Sequence, residues 1–310
     1  MIGIVLFALL LWSLGPGGIS GIIETIAKAN PWIFGIALLF IIIDVSFKGL
    51  KQSALLKAFG KKISLVESME VWLAGYLLGA VSPGRSGDFL RSVYFKKNFG
   101  IKTGSGLSAV LIDRLFDVGF LLLAAIAGFL YFSVIFNWDR LVVFILLGLL
   151  AVFATGCILI TRKKAVHFLG RPFFRLLVPK KFKEKIRVSF HDFYEGFAVY
   201  GKKPGIIVFA GIITVISWCF FFFQAWLFAL SLNIPVSFGI MAAIMPVITL
   251  VEVIPVSFSG IGTRDITLVG FFGLLGISKE AAISFSMTIL LIEIIQALFG
   301  AFFLRKIKNL

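Results

Sequence analysis

The sequence predicts an all-α polytopic membrane protein, and three observations carry that prediction. Sixty per cent of the 310 residues are hydrophobic and the mean hydropathy is +1.06. The apolar residues come in long runs without strand-like alternation, which favours helical spans over an outer-membrane barrel. A soluble chain of this length needs far more polar surface to stay in water. Third, 25 of the 30 Lys and Arg fall in four clusters, each beside a hydrophobic run: 48–62, 85–102, 162–203 and 305–308. The positive-inside rule reads such clusters as cytoplasmic. The net charge of +15 is then topology plus attraction to anionic lipid, and nucleic acid is not an expected partner.

The elements follow in order. The first apolar run, Met1 to Leu14, closes at Gly15-Pro16-Gly17-Gly18. As a helix it rises about 21 Å, short of the roughly 30 Å hydrocarbon core, so it is either a thin span or one that continues past the proline. Pro31 to Phe47 is a second span ending at the first basic cluster. Ser64 to Val81 is apolar but breaks at Ser82-Pro83-Gly84-Arg85, and the next piece, Asp88 to Phe95, is too short to cross. Leu107 to Ser133 and Leu141 to Ile160 are long enough, and a basic segment follows from Arg162 to Lys203. Gly205 to Leu230 is a span. Phe238 to Ile254 breaks at Pro255 to Gly260 before a short piece, Asp265 to Leu275, and Ala281 to Leu304 completes the chain.

If 64–97 and 238–276 each enter and leave on the same side, there are six full spans and two re-entrant hairpins. Both termini and all four basic clusters are then cytoplasmic, as expected of a plasma (inner) membrane protein. Met1 is followed by apolar residues without a basic n-region or a cleavage-site pattern, so no secretory signal is expected. The chain reads as one transmembrane domain, 1–310.

A repeat fits this arrangement. Pro83-Gly84-Arg85-Ser86-Gly87-Asp88, then Gly100-Ile101 and a helix with Asp113, parallels Ser259-Gly260-Ile261-Gly262-Thr263-Arg264-Asp265, then Gly276-Ile277 and a helix with Glu293. The copies, about 31–133 and 205–304, would be inverted. Inverted repeats with broken helices are a transporter pattern, in which half-helix ends gather near the midplane.

Charges inside apolar runs cost about 2.5–3.5 kcal/mol each on insertion scales and need a partner or a task. The expected substrate-binding set is Arg85, Asp88, Arg91, Glu252, Arg264, Asp265 and Glu293, the last with Gln296 one turn away. Arg85 and Arg264 would grip a phosphate through the guanidinium fork, and the carboxylates would hold them when the site is empty. Gly84, Gly87, Gly260 and Gly262 would allow close backbone approach and sharp turning. Asp88 and Arg91 share a helical face, as do Arg114 and Asp117; Asp113, Arg114 and Asp117 are expected to form structural ion pairs. No metal site or other cofactor is expected: Cys157 and Cys219 sit in apolar runs, and His167 and His191 lack ligand spacing. Phe182, Ile186, Phe190, Phe193, Phe197 and Tyr200 form a stripe in steps of three and four, as in an interfacial helix on the cytoplasmic leaflet or an amphipathic linker packed on other helices.

At these motifs the chain resembles the lysylphosphatidylglycerol synthase transmembrane-region family, the flippase-like domain at the N-terminus of multiple peptide resistance factors. The resemblance rests on Pro83 to Asp88 with Arg91, on Asp113-Arg114 with Asp117, and on Ser259 to Asp265. The family usually carries Glu where this chain has Asp88, Asp113 and Asp265. It implies translocation of an aminoacylated or polyprenyl-linked lipid between leaflets, with membrane lipids and a separate lipid-modifying enzyme as partners. It does not imply synthesis, which belongs to a separate soluble domain in the fused proteins.

Three other classes stand beside this one, among them a non-transporting assembly partner, which would survive neutralisation of Arg85 and Arg264. A proton-coupled small-solute transporter would use Asp88, Asp265 or Glu293 as a relay. A membrane-embedded lipid-phosphate transferase would need its carboxylates as bases, for no Ser/His/Asp or Cys/His constellation occurs. No Gly-x-x-x-x-Gly-Lys-Ser/Thr motif is present to bind a nucleotide.

Overall fold

A computed structural model describes residues 2–15, 17–136, 141–163, 183–254, 257 and 259–306. The described residues are helical throughout, without strands. Helices α1 (Ile2–Ser13) and α2 (Gly18–Ala27) precede α3 (Pro31–Lys57) and α4 (Leu65–Ala80); a 3-10 segment, Pro83–Leu90, leads into α5 (Arg91–Phe99). Then come α6 (Thr103–Phe136), α7 (Leu141–Thr161), α8 (Lys183–Gly201), α9 (Pro204–Ser231), α10 (Phe238–Val253), α11 (Thr263–Leu274) and α12 (Lys279–Lys306).

Five of these, α3, α6, α7, α9 and α12, are long and apolar enough to cross a membrane. The sixth expected span differs from a simple helix. Helices α1 and α2 are bent by 92° at the glycine-rich break, where Gly15 and Gly17 take left-handed backbone. The chain does continue past Pro16, but it turns. Exposed apolar side chains such as Trp32, Val134 and Phe144 are what a lipid solvent requires and water forbids.

Local sequence explains the boundaries. Asn30 caps α3 by accepting from the Trp32 and Ile33 amides, with Pro31 in the first turn, where its missing N–H costs nothing. Ser64 and Ser237 cap α4 and α10 in the same way. At α11 the Asp265 carboxylate reaches back to the Gly262 amide at 2.6 Å, a capping contact that also complements the helix dipole.

The two broken segments fold as hairpins. Helix α4 packs along the 3-10 segment, and a Cβ on Gly87 would land on the Leu78 carbonyl. Helix α10 returns through the turn into α11, where a Cβ on Gly260 would sit 2.6 Å from Glu252 Cγ. The hairpins meet: Ser259 Oγ lies 3.4 Å from the Ala80 carbonyl. Both second limbs end on a left-handed glycine, Gly100 and Gly276. The sharp turn of the first hairpin is taken by Arg85 itself, at φ 54°, not by a glycine. Of the expected turn residues, Gly260 and Gly262 have positive φ, Gly87 provides close approach, and Gly84 lies in the 3-10 segment.

Parts of three basic clusters meet at one end of the bundle. Lys203 Nζ donates to the Ala58 carbonyl, and the Tyr200 hydroxyl to that of Leu55. Lys102 bridges to Asp192 at 2.9 Å and Glu195 at 3.3 Å, which tie α8 to the start of α6. Of the stripe on α8, Tyr200 is buried and Phe190, Phe193 and Phe197 are half-buried, so these residues pack on other helices. Phe182, His167, Asp139, Arg140, Pro255, Val256 and Phe258 lie outside the described residues, and the side chains of Ile186 and Arg305 are not described.

Candidate functional site

Two charged networks lie between the hairpins and the long helices. The first centres on Glu293 of α12. Its Oε1 accepts from Arg85 Nη2 at 3.0 Å and from the Tyr76 hydroxyl at 3.4 Å. Its Oε2 accepts from Arg264 Nη1 at 3.2 Å. The same Arg264 nitrogen reaches Glu252 Oε1 at 3.3 Å, and its Nε donates to Ser286 Oγ at 2.8 Å. Ser286 in turn donates to Asp265 Oδ1. Arg264 is thus held on every side and 1% exposed. Arg85 has one carboxylate and the Tyr76 ring, 5.2 Å away, and its side chain is 25% exposed.

The second network links α3, the first hairpin and α6. Lys51 Nζ lies 2.7 Å from Asp113 Oδ1 and 2.8 Å from Asp117 Oδ1. Arg91 donates to Asp113 Oδ2 at 3.1 Å and to Gln52 Oε1 at 2.9 Å. Arg114 pairs with Asp88 and approaches Asp117 at 3.9 Å. Lys48 stands 3.5 Å from Asp117 and 4.4 Å from the Trp218 ring, and the Trp218 indole N–H donates to Asp117 Oδ1 at 3.0 Å. Buried ions paired at these distances with further hydrogen bonds are the geometry in which desolvation is compensated.

Between the networks lies a cavity of about 80 Å³. Its polar wall includes Lys48, Arg85, Arg114, Asp44, Glu252 and Glu293; Trp72, Trp218 and Phe221 supply aromatic wall. Three cations therefore face one small space, and two of them, Arg85 and Arg114, are about a quarter exposed. The volume holds a few waters.

The structure sorts the expected residues into two groups. Arg85, Glu252 and Glu293 line the cavity, as do Arg114 and Asp117, which the sequence reading assigned to structural pairing. Asp88, Arg91, Arg264 and Asp265 stand behind it; Asp113 lies with Arg91 at a smaller void. The expected partners also change. Asp88 pairs with Arg114, while Arg91 takes the Asp88 carbonyl at 3.2 Å and the Asp113 carboxylate. Asp88 and Asp265, which the sequence reading placed at corresponding positions, differ in role: one meets an arginine, the other caps a helix.

Sequence reasoning missed Lys48, Lys51, Gln52, Asp44, Tyr76, Trp218 and Ser286. Lys48 and Lys51 were counted with the cytoplasmic cluster, yet both are buried against Asp117. The available signal was the spacing of Asp44, Lys48 and Lys51, which places all three on one face of an apolar helix. His191, Asp192 and Glu195 come close enough to share a metal ion, but Lys102 already occupies the two carboxylates.

These features define a polytopic α-helical membrane protein with a charged cavity between two broken-helix hairpins and the long helices. The chain belongs to the lysylphosphatidylglycerol synthase TM region family, whose pattern it matches over residues 1–300. It is similar to a UPF0104 membrane protein of Pyrococcus horikoshii, 26% identical over 100% of this chain and 96% of that protein. A UPF0104 membrane protein of Methanocaldococcus jannaschii is 23% identical over 86% of this chain and 81% of its own.

Proposed function

We propose that this protein moves an anionic lipid between leaflets, holding the headgroup phosphate in the cavity while the acyl chains stay in the bilayer. The observation that carries this reading is the contrast between the two arginines on Glu293. Arg264 keeps Glu252 and Ser286 as well as Glu293, whereas Arg85 is part-exposed to the cavity and, among the described residues, pairs with Glu293 alone. A phosphate can take Arg85 from Glu293 without leaving that carboxylate bare, because Arg264 remains on its other oxygen. Arg114 and Lys48 face the same space and add donors for the remaining phosphate oxygens. Planar guanidinium suits phosphate better than an ammonium does.

The cavity as it stands fits a phosphate better than a whole headgroup, so passage requires the hairpins to part. In this reading 31–133 and 205–304 are inverted repeats that rock about the Arg85–Glu293–Arg264 contact, and the basic end of the bundle faces the cytoplasm. The protein performs no bond chemistry; an aminoacylated or polyprenyl-linked lipid would be made by a separate enzyme.

The test is leaflet exchange. Purified protein is reconstituted in phosphatidylcholine liposomes with a trace of fluorescent phosphatidylglycerol, its lysyl ester or a polyprenyl phosphate, and outer-leaflet label is quenched over time. Exchange by wild type that Arg85→Gln and Arg114→Gln lose, although both variants remain folded at the assay temperature, supports the reading. Absence of exchange with all three lipids from well-folded protein overturns it in favour of a solute transporter.

A further inference from the structure

Six acidic residues are buried among the described residues: Asp44, Asp88, Asp113, Asp117, Asp265 and Glu293. Five have strong partners. Asp88, Asp113, Asp117 and Glu293 each pair with Lys or Arg, and Asp265 caps α11 through the Gly262 amide. Asp44 stands apart: among the described residues it has no ion pair within 4.0 Å, and its one hydrogen bond comes from the Ser217 hydroxyl, 3.0 Å from Oδ1. It nevertheless lines the cavity.

We infer that Asp44 is a proton-binding site that couples lipid movement to a pH gradient; the inference rests on the translocation reading above. A buried carboxylate without a cation has two ways to avoid the cost of its charge: recruiting an ion or taking a proton. Its surroundings decide between them. Lys48, one turn further along α3, is directed to Asp117 and the Trp218 ring, and Lys51 to Asp113 and Asp117. From α6 the charged groups are Asp117 and Arg114; α9 offers Ser217 and Trp218, which carry no charge. Across the cavity stand Tyr76 of α4, Arg85 of the hairpin, Glu252 of α10 and Glu293 of α12. With Lys48 and Lys51 held by Asp117 and Asp113, neither is left to pair with Asp44, whereas a proton from water adds to a carboxylate oxygen and creates an O–H. Protonation removes the negative charge beside Lys48, which strengthens the cavity's hold on an anion. Release of the proton to water on the far side restores the carboxylate and expels the anion. The carboxylates that the sequence singled out for a relay, Asp88, Asp265 and Glu293, are already committed.

Coupling of one proton to one lipid limits the leaflet ratio of a trace lipid to about tenfold per pH unit. Liposomes of phosphatidylcholine carrying the fluorescent lipid and an internal pH dye are given a one-unit gradient, and label asymmetry and proton flux are followed together. Wild type is expected to build asymmetry that collapses with an ionophore, and Asp44→Asn to lose both the asymmetry and the lipid-dependent proton flux. Exchange by wild type that ignores the gradient overturns the coupling but leaves translocation standing, whether or not the variant folds. Proton flux that depends on Asp44 with no lipid exchange overturns translocation and keeps the proton site. Neither flux nor exchange overturns both.

Discussion

Arg85 Nη2 lies 3.0 Å from Oε1 of Glu293, a residue 208 positions further along the chain. That contact ties the turn of the first hairpin to the last helix, and Arg264 holds the other carboxylate oxygen at 3.2 Å. Glu293 is therefore the joint between the two halves of the fold. Removing one member of such a buried set leaves the others uncompensated, at about 3–5 kcal/mol. Glu293→Gln should destabilise by that order and Arg85→Gln by much less, because Arg85 is part-exposed. The double variant should cost less than the two single changes combined. Chemical unfolding in detergent reads this cycle; additive costs would mean that the pair is not coupled.

The two lysines of α3 should separate in the same kind of measurement. Lys51 is fully buried between Asp113 and Asp117. Lys48 reaches Asp117 only at 3.5 Å and leans on Trp218. Lys51→Met leaves two carboxylates facing each other in an apolar bundle and should cost about 3–5 kcal/mol, with partial recovery on adding Asp117→Asn. Lys48→Met should cost about 1–2 kcal/mol, since it forfeits a longer pair and a cation–π contact. Equal losses would contradict the assignment of Lys51 as the central cation.

Much of this fold was legible because its information is local. Long apolar runs and glycine-proline breaks specify spans and hairpins within short stretches of chain. The charged residues inside the spans were legible too, because each is costly there and stands out. Their partners were not. Asp88 and Arg91 share a helical face, yet Asp88 meets Arg114 from another helix. The burial of Lys48 and Lys51 depends on where α6 docks, and a lysine at the end of an apolar run looks the same whether it faces water or a carboxylate. Tyr76 and Ser286 carry no charge and had nothing to mark them until tertiary packing placed them beside Glu293 and Arg264.

The backbone at Arg85 gives a way to separate fold from function. Its φ of 54° is left-handed, a conformation that costs a residue with a Cβ roughly 1–2 kcal/mol and costs glycine little. Arg85→Ala and Arg85→Gly both delete the guanidinium and should both abolish exchange. The glycine variant should be the more stable by about 1 kcal/mol in unfolding measurements. An alanine variant at least as stable as the glycine one would contradict the left-handed turn.

The seam between α6 and α8 is set by two glycines. A Cβ on Gly104 would strike the Ser189 carbonyl and come within 2.6 Å of the Phe193 amide, and one on Gly196 would meet Ser108 Oγ. Backbone cannot yield as a flexible side chain can, so Gly104→Val should force α8 away from α6. The Lys102–Asp192 bridge, 2.9 Å long, would be lost with it. Gly148 and Gly156 on α7 have nothing within 4 Å of the added atom, and alanine there should be neutral or stabilise by up to about 1 kcal/mol through helix propensity. Limited proteolysis within 183–201, compared between Gly104→Val and Gly148→Ala, measures the difference directly. Faster cleavage in the first variant alone is expected, because only there does the added side chain meet the backbone that holds α8 in place.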